Sequence, residues 1–332
     1  MHTNNRNVVL ITGATGALGP RVVFAFRNAG YQVRTFSIDK VPTNIFPPGT
    51  EIFVGDVTDP AALNSAMQGV DAVVHMAALL HMVNPPAEMR GQYERVNVGG
   101  TAKVVEAAMK VGVGRIVFLS TIAVYGASNG HVLNEMSPTN PDTFYAQTKC
   151  IAEQIVLNAK NANGIPLATV LRLSAVYGPR IKGNYERLTH ALAQHRFIPI
   201  GKGRNRRTLI YDKDVARAIV LALSHPAAAG KVYNVSDGEY HTVHEIIESI
   251  CAALGRTSPM FSLPLGLMQR LTENVDKSIR FFAFKSPATK SIIEKYTEDI
   301  VVDGSLIQRE LGFVPEFNLK NGWEETIREM QL

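Results

Sequence analysis

A glycine-spaced turn constrains this chain most: Val8-Val9-Leu10-Ile11 runs straight into Thr12-Gly13-Ala14-Thr15-Gly16-Ala17-Leu18-Gly19, and a helical stretch continues to Gly30. The three glycines do different work. Gly13 permits a tight strand-to-helix turn, Gly16 lets backbone approach a pyrophosphate, and Gly19 lets the helix pack onto the sheet. The helix N-terminus, with the turn residues Thr15, Ala17 and Leu18, then offers N–H groups to the anion. A loop of this kind between a first strand and a helix predicts dinucleotide binding.

Beyond this turn the chain has the alternation of a wound α/β fold. β-Branched runs at 8–11, 32–36, 52–54, 72–74, 115–119 and 168–171 read as buried parallel strands. Helical patterns such as 96–111 and 145–160 are long enough to make right-handed crossovers between them. The expected architecture is α/β, a doubly wound parallel sheet. A further strand at 231–235 comes after the helical segment 212–224 and returns to the same sheet, so the second unit is interleaved. The expected division is 1–178 plus about 207–235 for the dinucleotide-binding domain, and about 179–206 plus 236–332 for a smaller substrate lobe.

Composition narrows the function. With 46% hydrophobic residues and a net charge of +5 over 332 residues, the chain has a core and is not intrinsically disordered. The charge is too small and dispersed for nucleic acid; the densest basic run, Lys202 to Arg207, suits a bound diphosphate better than a duplex. Cys150 and Cys251 make no disulfide framework, and no Cys/His group has zinc spacing, so no metal is expected. The polar start and the absence of a sufficiently long apolar stretch predict a soluble cytoplasmic protein with no membrane span. The segment 276–298, with Phe281, Phe282 and Phe284 among basic residues, reads as lobe core or subunit packing rather than a membrane-surface helix.

Cofactor choice is read at the end of the second strand, where an acid bonds the ribose diol and rejects a 2′-phosphate. Asp39 suits the diol, whereas Ser37 with Arg34 or Lys40 would tolerate a phosphate; the balance favours NAD over NADP. Asp56 and Val57 after the third strand fit an adenine pocket. After the fourth strand, Met76, Ala77 and Ala78 leave room for the cofactor beside His75, which has no second ligand near it in sequence.

Tyr145 and Lys149 stand one helical turn apart on one face. A lysine charge ~5 Å from a phenol, at an effective dielectric of ~20, favours phenolate by roughly 3 kcal/mol, or about two pK units. That would make Tyr145 a general base near neutral pH. The fifth strand ends in Ser120-Thr121, which puts hydroxyls at the carboxyl edge of the sheet, where open α/β folds bind ligands.

In this order, the motifs resemble the extended short-chain dehydrogenase/reductase superfamily, specifically its NAD-dependent epimerase/dehydratase family. The resemblance extends through N-V-G-G-T at 97–101, S-T-I-A-V-Y-G at 120–126, Y-A-Q-T-K at 145–149, L-R-L-S-A-V-Y-G-P-R at 171–180 and E-L-G-F-V-P at 310–315. It implies Tyr145 as acid/base, Lys149 holding the nicotinamide ribose and tuning Tyr145, Thr121 bonding the reacting oxygen with Ser120 as substitute, and Asn97 supporting the lysine. It also implies a homodimer paired through the helices at 97–111 and 145–160, and a nucleoside diphosphate sugar as substrate. Arg180, Arg204, Arg206, Arg207 and Asn184 lie in segments expected to line the cleft. Ala175 stands where sugar epimerases of the family carry asparagine, which resembles 4-ketoreductases and steroid-type dehydrogenases. Ile122-Ala123 after Thr121 replaces the acid pair of the dehydratase branch. The expected reaction is C4 epimerisation of a UDP-sugar through a 4-keto intermediate. Reduction of a nucleotide 4-ketosugar is the alternative, ahead of a steroid- or small-ketone-type reductase and a non-catalytic dinucleotide sensor.

Overall fold

The computed structural model describes residues 7–42, 44–80, 82, 85–259, 262–264 and 298–332. Its strands are β1 (Val8–Thr12), β2 (Gln32–Ser37), β3 (Glu51–Val54), β4 (Ala72–His75), β5 (Arg115–Thr121), β6 (Ala168–Leu173), β7 (Ala175–Tyr177), β8 (Arg206–Arg207), β9 (Leu209–Tyr211), β10 (Val232–Val235) and β11 (His241–Thr242). Seven form one parallel sheet in the order β10-β6-β5-β4-β1-β2-β3. The expected return of the 231–235 strand to the main sheet is thus found, with Val232–Val235 paired to Val170–Leu173. Winding reverses between β1 and β4, which opens a crevice at their carboxyl ends.

The helices are α1 (Gly19–Asn28), α2 (Pro60–Met67), α3 (Met89–Tyr93), α4 (Thr101–Lys110), α5 (Phe144–Leu157), α6 (Asn184–Ala193), α7 (Asp212–Ser224), α8 (Val243–Ala253), α9 (Ser305–Leu311) and α10 (Leu319–Met330). Local chemistry sets several starts: Asp59 accepts from the Ala61 and Ala62 amides, Thr143 from Ala146, and Thr242 closes a capping box with Glu245. The helix expected at 96–111 begins earlier, at Met89, and its middle, Glu94–Gly100, is a π-turn joining α3 to α4. Such wide turns recur at functional sites.

Successive residues of β1 bury on opposite faces. Val9 and Ile11 pack with Val22, Phe26, Val215 and Ile219 under α1 and α7, while Leu10 packs with Leu63, Val104 and Val156 under α2, α4 and α5. A third cluster joins Tyr177, Tyr211, Ile246, Ile250 and Trp323, with Trp323 stacked on Tyr177 at 4.6 Å. The short pairs β7 with β9 and β8 with β11 lie outside the main sheet and were not expected. Apart from Glu298, the segment 276–298 lies outside the described residues. No helix among the described residues is long and apolar enough to cross a membrane.

Candidate active site

The glycine turn sits against the end of β4. Gly13 has φ +71°, and a Cβ there would come within 2.7 Å of the Ala77 nitrogen; a Cβ on Gly19 would lie 1.7 Å from the Ala14 carbonyl oxygen. These positions accept only glycine. No side chain caps α1 at Leu18, which suits an external anion at that helix start. The chain's residues therefore fit a dinucleotide pyrophosphate.

The groups considered for the ribose separate clearly. Arg34 points away from a 2′-phosphate: it bonds Glu51 at 2.8 Å and the Ala66 and Gln68 carbonyls at 2.7 Å. Ser37 is buried and accepts from the Thr15 amide at 3.2 Å, so it braces the glycine turn instead. Asp39 and Lys40 are exposed. Asp56 accepts from the Thr58 amide at 2.8 Å and faces Arg95, and Val57 is buried beside Gly100. Met76 and Ala77 donate backbone N–H groups to the Thr12 hydroxyl, which anchors the start of the Met76-Ala77-Ala78 stretch to β1.

Across the crevice, α5 carries Tyr145 and Lys149 past the end of β5. Lys149 is buried, its ammonium 3.9 Å from the centroid of the Phe118 ring. Thr121 ends β5, partly exposed, its oxygen accepting from the Ala123 amide. Ser120 is not available as its substitute. It is buried and its hydroxyl donates to Glu153. Asn97, in the π-turn, donates to the Leu79 carbonyl and to Thr148 at 3.1 Å each and accepts from the Leu79 amide at 2.7 Å. It thereby ties α5 to the loop after β4 at the residue beside Lys149.

The electrostatics correct one expectation. Burial pushes the Tyr145 phenol up to about 12, with Tyr93 adding to the rise. Burial pushes the Lys149 ammonium down to about 7 against the opposing pull of Glu153. Desolvation disfavours phenolate and ammonium alike. In the chain by itself the phenol is therefore the stable form of Tyr145 near neutral pH.

Lys149 lends itself to a stability test. Its folded pKa lies below the unfolded value, so the fold binds fewer protons than the unfolded chain between about pH 7 and 10.5, and stability rises with pH through that window. Lys149→Met should melt at higher temperature than the parent below about pH 7, the gain fading towards pH 10. A gain that did not depend on pH would contradict this burial penalty.

Sequence reasoning passed over the group behind this site. Glu153, fully buried one turn beyond Lys149, receives Arg172 through Nε at 3.0 and 3.2 Å and Nη2 at 2.6 Å. Arg172 lies over the Tyr125 ring at 4.8 Å, and Tyr125 donates to Asn234 at 2.8 Å. The available signal was a charged residue in the middle of the apolar run 168–173.

The expected substrate residues are dispersed. Arg180 and Arg204 are exposed, Asn184 opens α6 and accepts from Arg187 at 2.6 Å, and Arg206 pairs with Asp299 at 3.1 Å. Arg207 bonds the Glu298 and Arg206 carbonyls. Ala175 opens β7, opposite Leu209. Among the described residues no three His, Cys, Asp or Glu side chains cluster as a metal site.

Comparisons with known proteins agree with this fold. The sequence model of the NAD dependent epimerase/dehydratase family matches residues 9–236. The chain is 30% identical to N-acetyl-alpha-D-glucosaminyl-diphospho-ditrans,octacis-undecaprenol 4-epimerase of Escherichia coli, over 98% of this chain and 95% of that one. It is also 30% identical to 2-alkyl-3-oxoalkanoate reductase of Stenotrophomonas maltophilia, over 95% and 96%. Among solved structures, MoeE5 in complex with UDP-glucuronic acid and NAD superposes with a TM-score of 0.76 at 26% identity, over 98% of this chain and 99% of that one.

Proposed function

We propose that this chain, which belongs to the NAD dependent epimerase/dehydratase family, is an NAD-dependent epimerase that inverts C4 of a nucleoside diphosphate sugar, a UDP-sugar by preference. The observation that carries the reading is that Tyr145 and Lys149 share a face of α5, with Lys149 against Phe118 of β5, the strand that ends in a partly exposed Thr121. Ile122-Ala123 in place of an acid pair argues against dehydration.

NAD, held by the glycine turn with Asp39 at the ribose, would supply hydride acceptance and hydride return at C4. Tyr145 must first ionise; as phenolate it takes the proton from O4 as C4 is oxidised, and as phenol it gives that proton back as C4 is reduced. Thr121 donates its hydroxyl hydrogen to the same oxygen. Lys149 stabilises whatever negative charge the phenol carries at that moment. Asn97 keeps this helix in register with the loop after β4. Arg207, with Arg180, Arg204 and Asn184, is assigned to the diphosphate and sugar, since guanidinium groups suit phosphate oxygens. Exposed Met109 on α4 and Ile151 on α5 support a homodimer paired through these helices. The cluster that joins Leu192 of α6, Ile246 and Ile250 of α8 and Trp323 of α10 supports a substrate lobe built from 179–206 and 236–332, although Ile307 and Leu311 of α9 pack under the main sheet.

Ala175 and the similarity to an oxoalkanoate reductase favour a second reading, a reductase of a free ketone or ketosugar. One measurement separates the two. An epimerase regenerates its cofactor in place, so the purified protein should carry NAD through chromatography and interconvert UDP-glucose and UDP-galactose, or their N-acetyl forms, without added dinucleotide. Protein that is free of nucleotide and oxidises reduced cofactor only when given a ketone would replace the epimerase reading with the reductase.

A further inference from the structure

His75 is fully buried between two threonines, with Nδ1 2.7 Å from the Thr12 hydroxyl and Nε2 2.9 Å from the Thr101 hydroxyl. The bonds around it fix every proton. Thr101 donates to the Asn97 carbonyl at 2.6 Å, so it must accept from His75, which therefore carries its hydrogen on Nε2. Nδ1 is then an acceptor, and Thr12 donates to it while receiving the Met76 and Ala77 amides. Beyond Asn97 the chain of bonds continues through its amide to Thr148, whose hydroxyl donates to the Tyr145 carbonyl at 2.9 Å.

We propose that His75 is a positioning residue: a neutral imidazole, held as the Nε2–H tautomer by Thr12 and Thr101, that keeps the glycine turn in register with the helix carrying Tyr145 and Lys149. The proposal rests on the reading of Tyr145 as the proton-transfer residue. It explains why a titratable ring is buried where a leucine would pack. A leucine cannot accept from β1 and donate to α4 at once, and each end of the ring meets a hydroxyl already committed to backbone at the crevice. A second proton would have no acceptor, because the Thr12 oxygen already takes two amides. Burial and the Lys149 charge accordingly push His75 down to about 3. The charged or titratable neighbour that acts on it is Lys149 from α5; Thr12 on β1, Thr101 on α4 and Phe118 on β5 are uncharged.

The test uses the full chain, first by nitrogen-15 NMR of its histidines. His75 should show the Nε2–H tautomer and no titration between about pH 5 and 9, whereas an unperturbed ring titrates near 6.5; an Nδ1–H tautomer or a cation in that range would overturn the proposal. The second arm is Thr101→Val, which keeps the shape of the side chain and removes the hydroxyl, compared with Thr101→Ser, which restores it. A misplacement of about 1 Å at a reacting group can cost about 100-fold. Thr101→Val should lower kcat by about tenfold or more with little change in the sugar KM, and Thr101→Ser should recover most of it. Equal kcat in the folded fraction of both variants would reduce His75 to a packing residue. If the parent turns over no nucleotide sugar, the substrate reading fails on its own, and the positioning role is still judged by the tautomer and by weakened NAD binding in Thr101→Val but not Thr101→Ser.

Discussion

Tyr145→Phe should lower kcat by about a thousandfold, within the 10²–10⁴ range of a positioned acid/base, while the dissociation constant for NAD stays within a fewfold of the parent. Phenylalanine keeps the ring's packing on α5, so folding and the glycine turn are left intact. What disappears is the hydroxyl to which the proposed reaction assigns the proton transfer. A variant that kept more than about a tenth of the parent turnover would remove Tyr145 from the chemistry. The raised pKa of this phenol also predicts a spectroscopic result. With dinucleotide stripped off, no tyrosinate band assignable to Tyr145 should appear below about pH 10, since burial raises this group above the ordinary phenol value. An ionisation nearer neutrality that appears only with NAD bound would mean that the cofactor completes the base. The pH profile then belongs to the coupled tyrosine and lysine together.

The second large effect concerns stability. Glu153→Ala should destabilise the fold by about 3–5 kcal/mol in urea denaturation, because Arg172 would be left as an uncompensated charge between β6 and α5. The Arg172 side chain is only 7% exposed and Glu153 not at all, so water cannot replace the lost carboxylate. Replacing both residues with Met and Leu should return most of the loss, as buried pairs often exchange for apolar groups at little net cost. A single-variant loss under about 1 kcal/mol would show that Arg172 finds another partner. Removing Glu153 also withdraws the acid that favours the Lys149 ammonium, so the double variant should lower the lysine's pKa even where stability recovers.

Much of this arrangement was legible in the sequence, for identifiable reasons. The central strands β1, β4, β5 and β6 are covered on both faces, which demands uninterrupted runs such as Val8-Val9-Leu10-Ile11. The glycine turn was readable because close approach to Ala77 and Ala14 leaves room for no other residue at 13 and 19. Tyr145 and Lys149 share a face by helical period alone. Other features left little trace. Two-residue strands such as β8 and β11 are too short to show a period, and the π-turn around Asn97 changes the helix's winding without changing its composition. Arg34 and Ser37 stood at the right place in sequence for a cofactor phosphate, yet tertiary partners at Glu51, Ala66, Gln68 and Thr15 turn them to other work. Glu153 gave no signal alone, because an acid on a helix is ordinarily solvated. Its meaning depends on Arg172, 19 positions away.

The place of β10 at one end of the main sheet has a consequence for biosynthesis. β6 finds its outer neighbour only when Val232–Val235 arrives, after β7, α6, β8, β9 and α7 have all been made. On the ribosome, therefore, the nascent sheet exposes the unpaired N–H and C=O groups of 168–173 until residue 235 has cleared the exit tunnel. An open strand of that kind invites pairing with other chains. Synthesis halted before residue 235 should yield aggregates rather than a soluble nucleotide-binding fragment.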